Sequence, residues 1–278
     1  MSLFLRRVSG RKALPWVAAV SLFVLVCWVG VPFLRDTLEQ ARLKTLYKEI
    51  SALCLQREAD DGRTVPGRLR QCVRDATEHN IDAEFYANWK NPVRMTRGVL
   101  EYLRGTRPAK MHFECSTRSG LLIGLLRAQG YQARDVILIK PAPNFPDHVT
   151  VEVWDAQRKT WEVQDPTYNI YYRHKGTRAH LSAEEILAAD VNEIIPCRDE
   201  ENCGWSRTTK ENLPIKTLRD YWDTMARKDA EGTWQIYYDA DGFDPYHTVD
   251  QLTYCEKREK FCKNPPLKVI EPKPASKR

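Results

Sequence analysis

The sequence predicts an α+β fold in which helices come first, a small antiparallel sheet follows, and helices and loops complete the chain. Apolar residues recur at helical spacing through the first part of the chain and again from Cys115 to Gly130. The pattern then changes to branched apolar runs and to strict alternation, which are typical of strands. Beyond residue 190 both signals weaken, so loops tied by disulfides are expected there.

The chain begins with a charge-free apolar stretch, residues 13–34, that is long enough to be a membrane anchor. Its 22 residues compare with the roughly 20 that a helix needs to cross a bilayer. Basic residues precede the stretch and acidic residues follow it, which predicts that residues 1–12 are a cytoplasmic stub and that the rest is exported. A cleaved signal peptide is the alternative, but the stretch is longer than usual and no small-x-small cleavage site follows.

Composition excludes several classes of protein. The hydrophobic content of 42% and the mean hydropathy of −0.54 indicate a globular body rather than a multi-span membrane protein. The net charge of +6 is modest, and the basic residues form no stripe with interleaved aromatics, so nucleic acid is not expected as a partner. Neither a metal nor a cofactor is expected.

Cysteine usage predicts disulfides and one thiol left over. One of the eight cysteines lies in the apolar stretch, which leaves seven in the exported body, an odd number. Disulfides are the expected use of cysteines in an oxidising compartment. A cross pairing among the last four is equally allowed, whereas a zinc site there would need unusually loose spacing. The pairs favoured by proximity are Cys54–Cys72, Cys197–Cys203 and Cys255–Cys262, which leaves Cys115 unpaired.

Residues 35–93 are predicted to be a helical extension next to the membrane. Apolar spacing from Leu38 to Leu53 indicates one helix, the sequence GRTVPG breaks it, and residues 68–89 indicate a second. A short helix that ends at Gly105 follows. The first disulfide would join the first two helices as a hairpin.

Residues 94–190 are predicted to form one domain around a helix that begins at Cys115. Apolar periodicity continues up to Gly130, which occupies the position where many helices end in a left-handed residue. The charges of Glu114 and Arg118 beside the helix start are expected to be exposed.

A small sheet is predicted after this helix. Ser182 and Glu185 form a capping-box pattern that starts a later helix. Residues 191–278 are predicted to be a helical and loop-rich region with disulfides and a basic tail. The predicted strands are ARDVILI (133–139), HVTVEVW (148–154) and WEVQD (161–165).

Cys115 is a candidate nucleophile because of its place at a helix start. A helix N-terminus and a neighbouring imidazolium both favour the thiolate, which is the form that attacks a carbonyl carbon. Of the six histidines, His148 is the best candidate for that imidazole, since it opens a strand after a proline-rich loop. His112 is close to the cysteine in sequence and is interpreted as structural.

Asp165 is the candidate for orienting the imidazole, because it ends the strand that follows His148. If the two strands pair so that Val153 faces Thr160, residue 148 faces residue 165. Directly opposed Cβ atoms lie about 4.5–5.5 Å apart, which allows an imidazole–carboxylate hydrogen bond. A slip of one residue would separate the two side chains.

The run ECSTRSGLLIGLLRAQGYQARDVILI, followed by DHVTVEVWDAQRKTWEVQDPTYN, resembles the transglutaminase-like core of the papain-like cysteine enzymes. The resemblance covers residues 95–170, about a quarter of the chain, and the chain looks like a bacterial, membrane-anchored member. It implies a helix packed on a small antiparallel sheet. It also implies that Cys115 is the nucleophile, His148 the general base and acid, and Asp165 the residue that orients His148.

Members of this family attack an amide carbonyl, form a thioester and pass the acyl group to water or to an amine. Together with the predicted anchor, the resemblance leads us to expect an extracytoplasmic enzyme, held in the inner membrane by a single span, that cleaves a peptide or isopeptide bond in proteins or peptides of the cell envelope. Crosslinking by amine transfer is one alternative. A non-catalytic binding or scaffold protein with the same fold is the other.

Two features depart from the family pattern. Many relatives have Gly-x-Cys with Trp or an acid after it, whereas this chain has Glu114-Cys115-Ser116. The family's side-chain oxyanion donor lies upstream of the cysteine, and Trp89 is the candidate here. The Cys115 backbone N–H would be the other donor, and losing one such donor typically lowers the rate about 10²–10³-fold.

Overall fold

A computed structural model describes residues 31–57, 63–139, 148–190, 192–204, 235–239 and 267–269. Helices and small sheets are mixed along these ranges, which confirms the α+β class. The helices are α1 (Val31–Arg57), α2 (Val65–Ala76), α3 (Ala83–Asn88), α4 (Pro92–Leu103), α5 (Cys115–Ala128) and α6 (Ala183–Ala188). The strands are β1 (Thr77–His79), β2 (Met111–Phe113), β3 (Ala133–Ile139), β4 (His148–Asp155), β5 (Thr160–Gln164), β6 (Tyr171–His174), β7 (Ile194–Cys197), β8 (Gln235–Asp239) and β9 (Leu267–Val269).

The described residues divide between two compact units, one that ends at Thr45 and one that begins at Leu46. Residues 13–30 of the predicted anchor lie outside the described part of the chain. None of the helices within the described ranges combines the length and the apolar character that crossing a membrane requires.

The single helix predicted over residues 68–89 is wrong, because this segment contains most of one helix, a short strand and the whole of a second helix. Thr64 caps α2 by accepting a hydrogen bond from the Gly67 N–H. After α2 the chain extends as β1, and Asp82 then caps α3 by accepting from the N–H groups of Glu84 and Phe85. Helical periodicity in the sequence therefore continued across a strand and a new cap.

β1 and β2 form a parallel pair that leads directly into α5. Thr77 lies opposite Met111 and His79 lies opposite Phe113. His79, which lies in the segment predicted to be helical, is instead on β1, and His112 is on β2, just before α5. The pairing brings the end of β1 beside the residues that precede Cys115.

Helix α5 is the centre of the second unit. It packs between α2 and the strands β3 and β4. Leu122, Leu125 and Leu126 are completely buried there, and burying a leucine side chain contributes about 1.5–3 kcal/mol. The helix begins at Cys115 as predicted, and Gly130 follows it with φ +85°, a left-handed conformation that favours glycine.

The main sheet has five strands in the order β5-β4-β3-β8-β9, and every neighbouring pair is antiparallel. Its first three strands correspond to the three that the sequence predicts. The other two come from the C-terminal region, which the sequence predicted to be helical and loop-rich, so that prediction is wrong for these residues. β6 and β7 form a separate antiparallel pair.

Two of the predicted disulfides are confirmed. Cys54–Cys72 joins α1 to α2, and Cys197–Cys203 closes the loop that follows β7. The second bond excludes the zinc alternative for its two cysteines, and the described residues contain no cluster of side chains able to hold a metal ion. Cys255–Cys262 lies outside the described residues.

Candidate active site

The structure brings three of the sequence-predicted residues together at the first turn of α5. Cys115 is a free, half-buried thiol at the first position of the helix. Its side chain hydrogen-bonds the imidazole of His148. His148 Nε2 in turn lies 2.6 Å from Asp165 Oδ2. All three residues belong to the unit that begins at Leu46.

The strand register that was expected to produce this contact is wrong. β4 and β5 pair Trp154 with Trp161 and Val151 with Gln164, a shift of two residues from the expected register. A shift of two keeps every side chain on its face of the sheet, because side chains alternate with a period of two. Asp165 therefore still faces His148, now diagonally, and reaches it from the turn after β5.

The turn after β5 fixes the Asp165 carboxylate in place. Its Oδ1 accepts hydrogen bonds from the N–H groups of Thr167 at 2.8 Å and Tyr168 at 3.0 Å, while Oδ2 faces His148. Asp165 also pairs with Ile170 through two backbone hydrogen bonds that close the turn. One aspartate therefore shapes the turn, through an Asx-type contact, and orients the imidazole.

His148 is buried, and its ring carries a proton more readily than an ordinary histidine. Burial by itself lowers the pKa of His148, but the charge and hydrogen bond of Asp165 and the hydrogen bond of Cys115 together raise it well above 6.5. Because Nε2 faces Asp165, Nδ1 is the ring nitrogen that remains for the sulfur. The favoured state is an imidazolium beside the thiol.

The backbone at the helix start adds a donor for a developing negative charge. The N–H of Cys115 belongs to the first turn of α5, where N–H groups have no partner within the helix and the helix dipole favours an anion. Glu114 completes a capping box with Thr117, and its carboxylate also accepts from the Ser116 hydroxyl. The prediction that Glu114 is exposed is wrong, because capping draws its side chain into the structure, where it is 7% exposed.

Arg118 was also expected to be exposed, and it is completely buried. It lies one turn after Cys115 on the same face of α5, so it points into the protein beside the site rather than into solvent. Its guanidinium donates to Thr77 and to the carbonyl of Thr167. The i, i+3 spacing from the cysteine was the one signal in the sequence that could have indicated this placement.

Sequence reasoning did not identify two further neighbours of the site. The ring of Tyr168 packs on His148 with the ring centroids 5.1 Å apart, and burial raises the pKa of this half-buried phenol. His79 lies at the end of β1. Although part of its ring reaches solvent, burial of the rest and the charges of Arg118 and His148 lower the pKa of His79 to about 4.

Trp89 lies at the end of α3, where its ring stacks on Phe85 with the centroids 6.3 Å apart. The ammonium of Lys90 lies 5.2 Å from the centre of the Trp89 ring. The backbone N–H of Trp89 donates to the Phe85 carbonyl. Its role as the side-chain oxyanion donor stays a prediction.

No protein-family model matches the chain, and no curated protein matches it significantly. Among solved structures it is similar to Rad4–Rad23 bound to a 6-4 photoproduct UV lesion, at 13% identity and a TM-score of 0.29, over 79% of this chain and 60% of that one. Rad4–Rad23 crosslinked to undamaged DNA gives 14% identity and a TM-score of 0.28, over 80% of this chain and 57% of that one. The chain thus spans less than two thirds of the length of these proteins, and TM-scores this low carry no argument.

Proposed function

We propose that the chain is a cysteine enzyme with a papain-like, transglutaminase-type core that cleaves or transfers an amide bond through a thioester. The observation that carries this proposal is the position of His148, which contacts the free thiol of Cys115 on one side and Asp165 on the other. A nucleophile, a base and a residue that orients the base are the three parts that such chemistry needs. The packing of α5 on β3 and β4 supports the same core.

In the first step the Cys115 thiolate attacks the carbonyl carbon of the scissile amide, and a carbon–sulfur bond forms. The carbonyl oxygen becomes an oxyanion, which the Cys115 N–H at the helix start stabilises. The imidazolium of His148 then gives its Nδ1 proton to the leaving nitrogen as the carbon–nitrogen bond breaks. An amine leaves, and the acyl group stays on Cys115 as a thioester.

In the second step His148 acts in the reverse sense. The neutral imidazole takes a proton from water, the resulting hydroxide adds to the thioester carbon, and the carbon–sulfur bond breaks. A carboxylic acid leaves and the thiolate–imidazolium pair is restored. An amine in place of water would give a new amide, so the identity of the acceptor separates hydrolysis from crosslinking. We favour hydrolysis.

Two features outside the site support the location that we propose. The charge-free residues 13–34 suit a single-pass anchor in the inner membrane with the N-terminus in the cytoplasm. The disulfides Cys54–Cys72 and Cys197–Cys203 suit an oxidising, extracytoplasmic compartment. Proteins and peptides of the cell envelope are then the substrates within reach.

The proposal is tested by trapping the acyl-enzyme. The full-length chain is mixed with a library of chromogenic peptide anilides, and the reaction is quenched in acid. The protein is then digested, and the mass of the peptide that contains Cys115 is measured by mass spectrometry. We expect an acyl adduct that hydroxylamine removes, that Cys115→Ala lacks, and that a labelled primary amine intercepts only if transfer competes with hydrolysis. Absence of any adduct, together with ordinary alkylation of Cys115, would instead indicate the binding or scaffold protein.

A further inference from the structure

Arg118 combines complete burial with a position beside the reactive groups. Its side chain is 0% exposed. Burial lowers the pKa of Arg118 to about 10, a change that the charge of Arg74 increases and that the charges of Asp165 and Cys115 oppose. The guanidinium therefore remains charged at neutral pH, and a buried charge requires compensation nearby.

The hydrogen bonds of Arg118 are directed at neutral acceptors. Nε donates to Thr77 Oγ1 at 2.9 Å, Nη2 to Thr77 O at 3.0 Å and Nη1 to Thr167 O at 3.3 Å. Within the ranges that the structure describes, no carboxylate forms an ion pair with this guanidinium. Hydrogen bonds to neutral groups satisfy its donors but do not neutralise its charge.

The acidic groups that do favour the charged guanidinium include two members of the candidate site. Asp165 and Cys115 both interact with Arg118 electrostatically. The site then holds two cations, Arg118 and His148, and one buried carboxylate, Asp165. Glu78 also favours the charged guanidinium, so a negative charge on the Cys115 sulfur would be one of several that offset these two cations.

Arg118 also closes a ring of contacts that begins and ends in the first turn of α5. Its guanidinium donates a hydrogen bond to the Thr167 carbonyl, and the Thr167 N–H donates one to Asp165 Oδ1. Asp165 Oδ2 holds His148, which contacts Cys115. Movement of the turn after β5 would therefore break a bond to Arg118 as well as a bond to the imidazole.

We propose that Arg118 is a positioning residue of the site, which fixes the Asp165 turn against α5 and favours the Cys115 thiolate by its charge. The role rests on the proposed function, because it concerns the reactivity of the same thiol. Arg118 would then contribute to the reactivity of the Cys115 sulfur at low pH, in addition to Cys115, His148 and Asp165.

The test is the rate at which iodoacetamide alkylates Cys115 in the full-length chain, read on the Cys115 peptide by mass spectrometry across a series of pH values. Arg118→Met keeps most of the side-chain volume and removes the charge. We expect its alkylation rate at about pH 6 to fall about tenfold or more, as for one charge acting over a short, poorly screened distance. Arg118→Lys, still charged, should retain most of the low-pH rate but lower anilide turnover, because it cannot hold Thr77 and Thr167 together.

Thr77→Val is the matched control, since it removes one acceptor of Arg118 and leaves the charge in place. Its alkylation profile should stay close to that of the unaltered chain. An Arg118→Met protein that folds and keeps the original profile would overturn the proposal, as would a Thr77→Val protein that loses as much as Arg118→Met. Arg118→Gln, which still donates to Thr167, replaces the methionine variant if that variant does not fold.

The same measurements separate this proposal from the proposed function. Ordinary thiol reactivity of Cys115 in the unaltered chain would remove the enzyme hypothesis itself. High reactivity at low pH that His148→Ala abolishes and that the neutral Arg118 variants leave unchanged would remove only the role of Arg118.

Discussion

Two histidine–carboxylate pairs in the same unit differ in burial and in what lies beside them. His148 and Asp165 approach to 2.6 Å, with side chains that are 8% and 0% exposed. His112 and Asp82 approach to 2.9 Å, with side chains that are 17% and 41% exposed. In both pairs the carboxylate raises the pKa of the histidine, but only the first ring also contacts a thiol.

The difference shows that closeness in sequence does not select the partner of Cys115. His112 precedes the cysteine by three residues, yet it lies on β2 between two buried neighbours, so its ring points away from them and meets the cap of α3. His148 is far away in sequence and reaches the thiol because α5 packs on β4. The same chemical pair is therefore a surface contact in one place and a candidate catalytic unit in the other.

The largest expected difference between the two pairs is in the reactivity of Cys115 when the ring of His148 or of His112 is removed. His148→Ala should lower the alkylation rate of Cys115 at about pH 6 by about 10²-fold, because an ordinary thiol near pKa 8.5 is almost entirely protonated there. His112→Ala should leave that rate unchanged. The measurement is peptide-resolved alkylation of the full-length chain.

Circular dichroism and intact disulfides serve as controls for folding in both variants. An equal fall in the alkylation rate in both variants would show that the two histidine–carboxylate pairs do not differ in their effect on Cys115. Loss in neither would show that the imidazole of His148 does not activate the sulfur.

A smaller effect is expected from changing the carboxylates. Asp165→Asn keeps an oxygen for the N–H groups of Thr167 and Tyr168 but turns an amide NH₂ toward His148 Nε2. The ring must then accept at Nε2 and becomes neutral, so the alkylation rate of Cys115 at about pH 6 should fall about tenfold, the effect of one unit of pKa on the imidazole. Asp82→Asn should leave the alkylation rate of Cys115 unchanged, because asparagine caps a helix as well as aspartate.

The hydrogen-bond pattern of the Asp165→Asn variant can be followed separately, by the ring resonances of His148 in NMR spectra. An Asp165→Asn protein with the original alkylation profile would mean that the carboxylate only shapes the turn. A loss in Asp82→Asn would mean that the second pair affects the thiol as well.

The smallest effect is in the pH dependence of stability. The pKa of His148 is raised well above 6.5 and that of His112 is also raised, so each stabilises the fold fully below its unfolded-state pKa and loses that contribution as the pH rises through its folded-state pKa. His79, with a pKa lowered to about 4, contributes above 6.5 and loses its contribution as the pH falls.

The unfolding free energy of His112→Gln, His148→Gln and His79→Gln proteins, measured against the unaltered chain from about pH 4 to pH 9, checks these signs. The contribution of His112 should disappear at lower pH than that of His148, and the contribution of His79 should disappear in acid. A His148 contribution that grows with rising pH would contradict the imidazolium.

Local patterns in the sequence predicted much of the fold around the site. The helix start at Cys115, its end at Gly130, the three strands and the Ser182–Glu185 capping box all agree with the structure. Each depends on interactions within a few residues. The long second helix was predicted wrongly and the strands β8 and β9 were not predicted, because β1 pairs with β2 and β8 with β3 across many residues of chain.

Some residues of the candidate site could also be predicted from local sequence patterns, and others could not. Cys115, His148 and Asp165 carry recognisable chemistry at recognisable positions, and the spacing of two strands is enough to bring the last two near each other. The register was wrong by two residues, and the contact survived because an even shift preserves the face of the sheet. The only local signal for Arg118 was its i, i+3 spacing from Cys115, and sequence reasoning did not identify Tyr168 or His79 as neighbours of the site.

The sequence by itself determined the leftover thiol, the start of its helix and the alternation that turns His148 toward one face of the sheet. Only the tertiary structure decided which imidazole meets the sulfur and that the charge of Arg118 is buried beside it. The physical reason is the distance along the chain over which each interaction acts. Caps, periodicity and cysteine spacing act within one element, whereas burial and the electrostatic balance of a site depend on the elements that pack together.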